Sequence, residues 1–234
     1  VSTLQGDHRL GARVWGVRTT WRTVGDGDFF CPGCGGDRSY LRRTGRLRLA
    51  FLGIPLTSAH AGPVVECADC GTRFGTDVLN HPTSTRFSAM LRDAVHTVAL
   101  AVLAAGGFED RAVRAAAVGA VHGAGFVGCT EEQLVDLLNA RAVATGRPRS
   151  GHLDGTDGGG AALTVEVHEA LDPIAPHLAR VGSQGLLLQG ARIALADGPY
   201  SPGEHRALAA VGRALLLSRA DTERLLTAAA RTPT

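Results

Sequence analysis

Aromatic residues are scarce in this chain. Phe, Tyr and Trp make up 5% of its 234 residues, while Ala and Gly are abundant. Such a composition favours closely packed helices of small residues over a large β-sandwich. Lysine is absent: all 24 basic residues are arginine. That replacement follows in part from codon use in GC-rich genomes and excludes no class of function. Long apolar runs are lacking too. The longest, near 97–105 and 186–196, reach about half of the ~20 residues that a membrane span needs, so no span is expected. The opening VSTLQGDHRLGARV has no apolar stretch of the signal-peptide kind, which makes the cytoplasm the expected compartment. Catalytic signatures are missing as well. There is no GxSxG, no P-loop, no GxGxxG between strand and helix, and no HExxH. His168 and Glu169, with Glu166 nearby, lack a second histidine in the right place and read as surface.

What is present is ordinary in bulk. The chain is 44% apolar and 20% charged, as soluble globular chains are. Its length suits one large domain or two smaller ones. The net charge of +2 is uninformative about partners. Residues 1–50, however, hold nine Arg against four Asp and no Glu, so the basic surplus lies at the N-terminal end.

Three zones follow one another. Residues 1–80 are Gly-rich, carry both Trp and four of the five Cys, and read as short strands. Val14 to Val24 predicts a strand ending at a turn, Gly25-Asp26-Gly27. Leu47, Leu49 and Phe51 alternate with Arg46 and Arg48, with Thr44-Gly45 as a turn back onto Ser39–Arg43. Pro55 and Pro63 predict a bracketed loop, and Val64-Val65-Glu66 a third short strand. Residues 83–231 read as helices, interrupted by a Gly-rich loop at 147–160. Met90, Leu91, Ala94, Val95, Val98 and Val102 keep helical spacing within Phe87–Ala105, ending at Gly106-Gly107. Arg111 to Gly123 is an Ala-rich helix. Thr130-Glu131-Glu132-Gln133 and Ser201-Pro202-Gly203-Glu204 are capping boxes, and Ser218 caps the last helix. Ala161–Arg180 is ambiguous because Pro173 and Pro176 interrupt it. Val102–Gly107 resembles Ile193–Gly198, and each is followed by two further helices, a weak internal echo.

The cysteines carry the clearest chemistry. Cys31-Pro-Gly-Cys34-Gly35 and Cys67-Ala-Asp-Cys70-Gly71 have the same form. A CxxC turn brings two thiolates close enough to share a tetrahedral ion at about 2.3 Å per bond. The following Gly can take positive φ and tighten the turn, so that backbone N–H groups point at the sulfurs. Two such knuckles at the ends of a small antiparallel sheet make a zinc ribbon. Four thiolates fill the coordination sphere of Zn²⁺, leaving no open position, so the metal is expected to be structural. In a reducing compartment the alternatives, a redox pair or two disulfides, are disfavoured. Cys129, just before a helix start, reads as a small buried apolar residue; the other reading is a thiol of lowered pKa.

With those residues in view, a resemblance appears. The order Gly25-Asp26-Gly27-Asp28-Phe29-Phe30-Cys31-Pro32-Gly33-Cys34-Gly35-Gly36, Tyr40, an Arg-rich strand, Phe51–Leu56 and Val65–Cys70 resembles the zinc-ribbon modules at the N-termini of many bacterial proteins. Ile193-Ala194-Leu195-Ala196-Asp197-Gly198-Pro199-Tyr200-Ser201-Pro202-Gly203-Glu204-His205-Arg206, followed by Leu208, Val211 and Leu215, resembles the TerB-like family named for tellurite resistance. The resemblance implies a fold of a small β zinc ribbon plus an all-α helical bundle. It also implies a role in tellurite and general stress response, and metal binding by acidic residues. Asp197 and Glu204 become candidate ligands for a second cation, Ca²⁺ or Mg²⁺. Gly106 stands where the pattern would want Asp, so a site built from both halves is depleted. Asp-Gly as a helix end and Glu204 as a capping residue are the plainer reading of that pair.

The expected function is therefore non-enzymatic: a zinc ribbon and a helical bundle serving as an interaction or metal-binding module for a protein partner. The alternative is a nucleic-acid-binding ribbon with a helical regulatory domain, in which Arg38, Tyr40, Arg42, Arg46 and Arg48 share one hairpin face for phosphate contacts and stacking. An enzyme using Asp197, Glu204 and Glu166 is the least favoured reading.

Overall fold

The computed structural model describes residues 15–51, 54–144 and 158–232. The chain divides into two compact units, Val1–Phe87 and Ser88–Thr234. The division falls in the first turn of a helix rather than in a linker before it.

The first unit is built on four strands: β1 (Trp15–Cys31), β2 (Gly36–Phe51), β3 (Ile54–Cys67) and β4 (Arg73–Phe74). They form one antiparallel sheet in the order β1-β2-β3-β4. The strands are longer than their glycines and prolines suggest. The expected turn at Gly25–Gly27 is instead a bulge: pairing steps from Thr23↔Arg43 to Gly25↔Arg42, leaving Val24 as the extra residue. The expected turn at Thr44-Gly45 lies inside β2. There the pairing with β3 steps from Arg43↔Val64 to Gly45↔Ala61, so Gly62 and Pro63 are absorbed opposite Thr44. The loop expected between Pro55 and Pro63 is a strand. A sheet tolerates proline at an edge or a bulge, and both prolines stand beside register shifts on a strand whose outer side is paired only at Val65 and Glu66 among the described residues.

The two faces of this sheet differ. Residues paired across strands share a face, which puts Tyr40, Val65 and Phe74 together. Phe29, Cys31, Val65, Cys67 and Val78 form the buried cluster, with Tyr40 and Phe74 packed against it. Phe29 meets Tyr40 edge-on at 5.5 Å between ring centroids and Phe74 at 6.1 Å, the geometry that aromatic quadrupoles favour. On the opposite face the Trp21 ring lies over Gly45. A β-carbon there would stand 2.9 Å from Trp21 Cζ3 and 2.9 Å from Ala61 Cβ. Arg73 stacks on Trp21 at 4.9 Å and pairs with Glu66 at 2.7 Å, and Arg43 reaches Glu66 at 2.8 Å.

The second unit is helical. After a 3-10 turn of the first unit, Thr76–Asn80, come α1 (Ser84–Gly106), α2 (Arg111–Gly123), α3 (Glu131–Ala144), α4 (Gly158–Leu171), α5 (Arg180–Ala194), α6 (Pro202–Ala214) and α7 (Arg219–Arg231). The expected caps are formed. Thr130 and Gln133 bond reciprocally, backbone to side chain, at 3.1 and 3.2 Å. Ser201 and Glu204 do the same at 2.8 and 3.2 Å, and Ser218 Oγ accepts from Asp221 N–H at 3.0 Å. The ambiguous stretch resolves into α4, a 3-10 turn at Ala175–His177 and α5. Most of the Gly-rich loop at 147–160 lies outside the described residues; Gly158–Gly160 open α4.

The core of this unit mixes leucines with many alanines and valines, and the small residues let helix axes approach. Gly190 of α5 is covered by Val98 and Val102 of α1 and by Leu208 of α6. The segment Thr76–Gly106 is long and apolar enough to cross a membrane by length and composition. Its Val98, Val102 and Leu103 are 0–1% exposed among protein neighbours, as in the core helix of a bundle. Each of the two echoing segments ends a helix, α1 or α5, and two further helices follow it.

Candidate metal centre

Both knuckles are the hairpin turns of the sheet. Residues 32–35 join β1 to β2, and residues 68–72 join β3 to β4. Each turn closes in the same way. Gly35 N–H donates to Cys31 O at 2.9 Å, and Gly71 N–H to Cys67 O at 3.0 Å. Gly35 and Gly71 have φ of 69° and 67°, a region costly for any residue with a β-carbon. The glycine after each cysteine pair is thus required by the turn. The pairing Tyr40↔Cys67 and the bond from Ala68 N–H to Ser39 O at 2.9 Å bring the second knuckle against the first.

The four sulfurs converge as a result. One sulfur from each of Cys31, Cys34, Cys67 and Cys70 lies within 4.8 Å of the others. Cys31 and Cys70 are 3.8 Å apart, and Cys34 and Cys67 are 4.0 Å apart. A disulfide would need about 2.05 Å. A tetrahedral ion with bonds of about 2.3 Å needs sulfurs about 3.8 Å apart. The donor set therefore fits a shared metal ion and not a pair of disulfides. Among the described residues no other group of three or more Cys, His, Asp or Glu side chains converges in this way.

The sulfurs are not equivalent. Cys31 and Cys67 are 0% and 1% exposed, on the floor made by Phe29 and Val65. Cys34 is half-buried and Cys70 exposed. Without metal, burial and the neighbouring sulfurs push the Cys34 thiol up to about 12. Burial also raises Cys31, against backbone N–H groups of Cys34 and Gly33 that favour its thiolate. Cys70 is held down to about 6, first by hydrogen bonding with the Thr72 side chain and then with its backbone. Thr72 Oγ1 lies 3.2 Å from Cys70 Sγ. Sequence reasoning missed Thr72; its one signal is a hydroxyl two residues past the last cysteine. A metal ion would bind all four sulfurs as thiolates, releasing protons from those held high.

The other candidate residues are placed as follows. Glu204 is 3% exposed, and its carboxylate is engaged by Ser201 in the capping box. Burial raises its pKa, and the nearby Asp197 adds to the rise. Asp197 is exposed. The Glu204 carboxylate lies over Gly106, so residue 106 has no room to add an oxygen ligand. Glu166 lies with Asp93 and Glu169 in an open groove between α1 and α4. His168 Nδ1 is 3.0 Å from Asp172. Cys129 is half-buried, and burial raises its thiol, the opposite direction from a thiol of lowered pKa. Of the arginine set, Arg38 pairs with Asp69 at 2.7 Å, and the Tyr40 ring is packed on Phe29. Arg42 and Arg46 are exposed. The Arg48 side chain is outside the described residues.

Compared with known proteins, the chain matches no family model, no curated protein and no solved structure.

Proposed function

We propose that the four-cysteine cluster holds one structural Zn²⁺ and that the N-terminal sheet is a zinc ribbon. The observation that carries this reading is the spacing of the four sulfurs, 3.8 and 4.0 Å across the knuckles, beside a buried cluster that among the described residues has five members, two of them the cysteines Cys31 and Cys67. So small a core gains from a metal worth roughly 10–16 kcal/mol in zinc peptides. Softness favours the same ion: thiolates select zinc over Ca²⁺ and Mg²⁺.

On this reading the protein is a non-enzymatic, cytoplasmic stress-response protein of the TerB, tellurite-resistance type, and the helical unit is its interaction module for a protein partner. The support is the Asp197–Glu204 segment, whose helix, Asp-Gly turn, capping box and helix stand as the resemblance implies. Glu204 acts there as a cap, and a Ca²⁺ or Mg²⁺ ion at Asp197 and Glu204 forms no part of the reading. Survival of a host strain on tellurite, with the wild-type chain or a Cys67→Ser/Cys70→Ser variant supplied, tests the stress assignment. Protection by the wild type and its loss in the variant are expected. Equal survival with and without the wild-type chain would contradict the tellurite assignment while leaving the zinc reading to metal analysis.

A further inference from the structure

The four sulfurs differ in access, and two close pairs cross between the knuckles. Cys70 is exposed, while Cys31 and Cys67 are 0% and 1% exposed. Cys70 lies 3.8 Å from Cys31, and Cys34 lies 4.0 Å from Cys67. Oxidants react with thiolates in proportion to access and thiolate character, and a zinc site keeps its cysteines as thiolates. A small oxidant therefore meets Cys70 first, and a sulfur of the other hairpin turn, that of Cys31, lies 3.8 Å from it.

We propose that Cys70 is a modification site for hydroperoxides, with Cys31 as its resolving partner, and that the Cys31–Cys70 disulfide so formed expels the zinc. This rests on the zinc reading above. In the first step the Cys70 thiolate attacks one peroxide oxygen. An S–O bond forms, the O–O bond breaks, and hydroxide leaves and is protonated to water. Sulfur loses two electrons and the peroxide gains them. In the second step the Cys31 thiolate attacks the sulfenic sulfur. An S–S bond forms, the S–O bond breaks, and a second hydroxide leaves as water. The net change is two thiolates, one H₂O₂ and two protons giving one disulfide and two waters. The metal then keeps only Cys34 and Cys67, half the ligands of a closed four-thiolate site, and dissociates. A second equivalent of peroxide closes Cys34–Cys67 in the same way. Because each bridge joins the two turns, the oxidised unit keeps its knuckles tied where the metal had held them.

The test uses the full-length, zinc-loaded chain with Cys129→Ala, treated with one equivalent of H₂O₂. Zinc release is read with a chromogenic chelator, and the first disulfide is located by non-reducing peptide mass spectrometry. Release of zinc together with a Cys31–Cys70 bridge is expected, reversed by dithiothreitol and added Zn²⁺. A first bridge within one knuckle, Cys31–Cys34 or Cys67–Cys70, would overturn the proposal, as would retention of zinc with Cys70 reduced. A Cys70→His variant keeps four ligands of a type zinc accepts. It should hold the metal and release it to peroxide about tenfold more slowly or less; an unchanged rate would also overturn the proposal. If the reduced chain holds no zinc at the outset, the zinc reading fails by itself. The bridge formed first in that chain still decides whether Cys31 resolves Cys70.

Discussion

The carboxylate of Glu204 occupies the space that a β-carbon on residue 106 would need. The end of α1 and the start of α6 thus meet at a glycine and a buried acid that also closes its own capping box. Substituting Gly106 by Ala should gain helix propensity of about 1 kcal/mol. Displacing a buried carboxylate that accepts from Ser201 N–H should cost more, about 1–3 kcal/mol. A net loss of stability on thermal unfolding is expected, and a gain would show that Glu204 moves freely.

Glu204 also sets a pH dependence. Its pKa in the folded chain is raised above the ordinary 4.5 by burial. Between the unfolded and folded values the native state holds more protons than the unfolded state, so stability falls as pH rises through that window. The contribution is fully present below the unfolded value and is lost above the folded one. Glu204→Gln keeps an acceptor for Ser201 N–H and removes the titration. Denaturant titrations from pH 4 upward should show wild type losing stability relative to this variant as pH rises. A parallel pair of curves would contradict the burial of an ionisable group there.

Leu216 has a φ of 59° and is 71% exposed, at the end of α6 where Leu217 N–H reaches back to Gly212 O at 2.9 Å. This is the left-handed position of a Schellman motif, which glycine fills most easily. A left-handed residue with a β-carbon costs about 1–2 kcal/mol, and an exposed Leu offers little packing in return. Leu216→Gly should raise the midpoint of thermal unfolding by a few degrees, about 1 kcal/mol less glycine's own entropy.

The capping serines give a paired comparison. Ser201→Ala removes the acceptor for Glu204 N–H and Ser218→Ala that for Asp221 N–H. Each should destabilise by about 1 kcal/mol. The Ser201 change should cost the more, because it loosens a buried partner, whereas Asp221 also holds Arg180 at 2.7 Å. Chemical denaturation of the two variants side by side measures the difference.

Much of this was legible in residue order, for physical reasons. A CxxCG knuckle works through spacing within five residues, and a capping box within four, so both can be read locally. The strands were harder, because Gly25, Gly45, Pro55 and Pro63 are turn residues in isolation and bulge residues in a sheet. Only pairing partners tell the two uses apart, and these lie up to 24 residues away in sequence, as Trp21 does from Gly45. Tyr40 shows the same limit from the other side. Its place on an arginine-rich strand suggested a stacking residue, but β2 turns it toward Phe29 and into the core. The meeting of Gly106 with Glu204, far apart in the chain, left no trace beyond the glycine itself.

The four-thiolate centre proposed for the sheet depends on its metal. X-ray absorption at the zinc edge, on protein purified under reducing conditions with metal content measured in parallel, tests it. About one zinc per chain, with four sulfur neighbours near 2.3 Å and loss of the metal in the Cys67→Ser/Cys70→Ser variant, is the expected result. A reduced chain without zinc, or a zinc bound by nitrogen and oxygen, would contradict the four-thiolate centre.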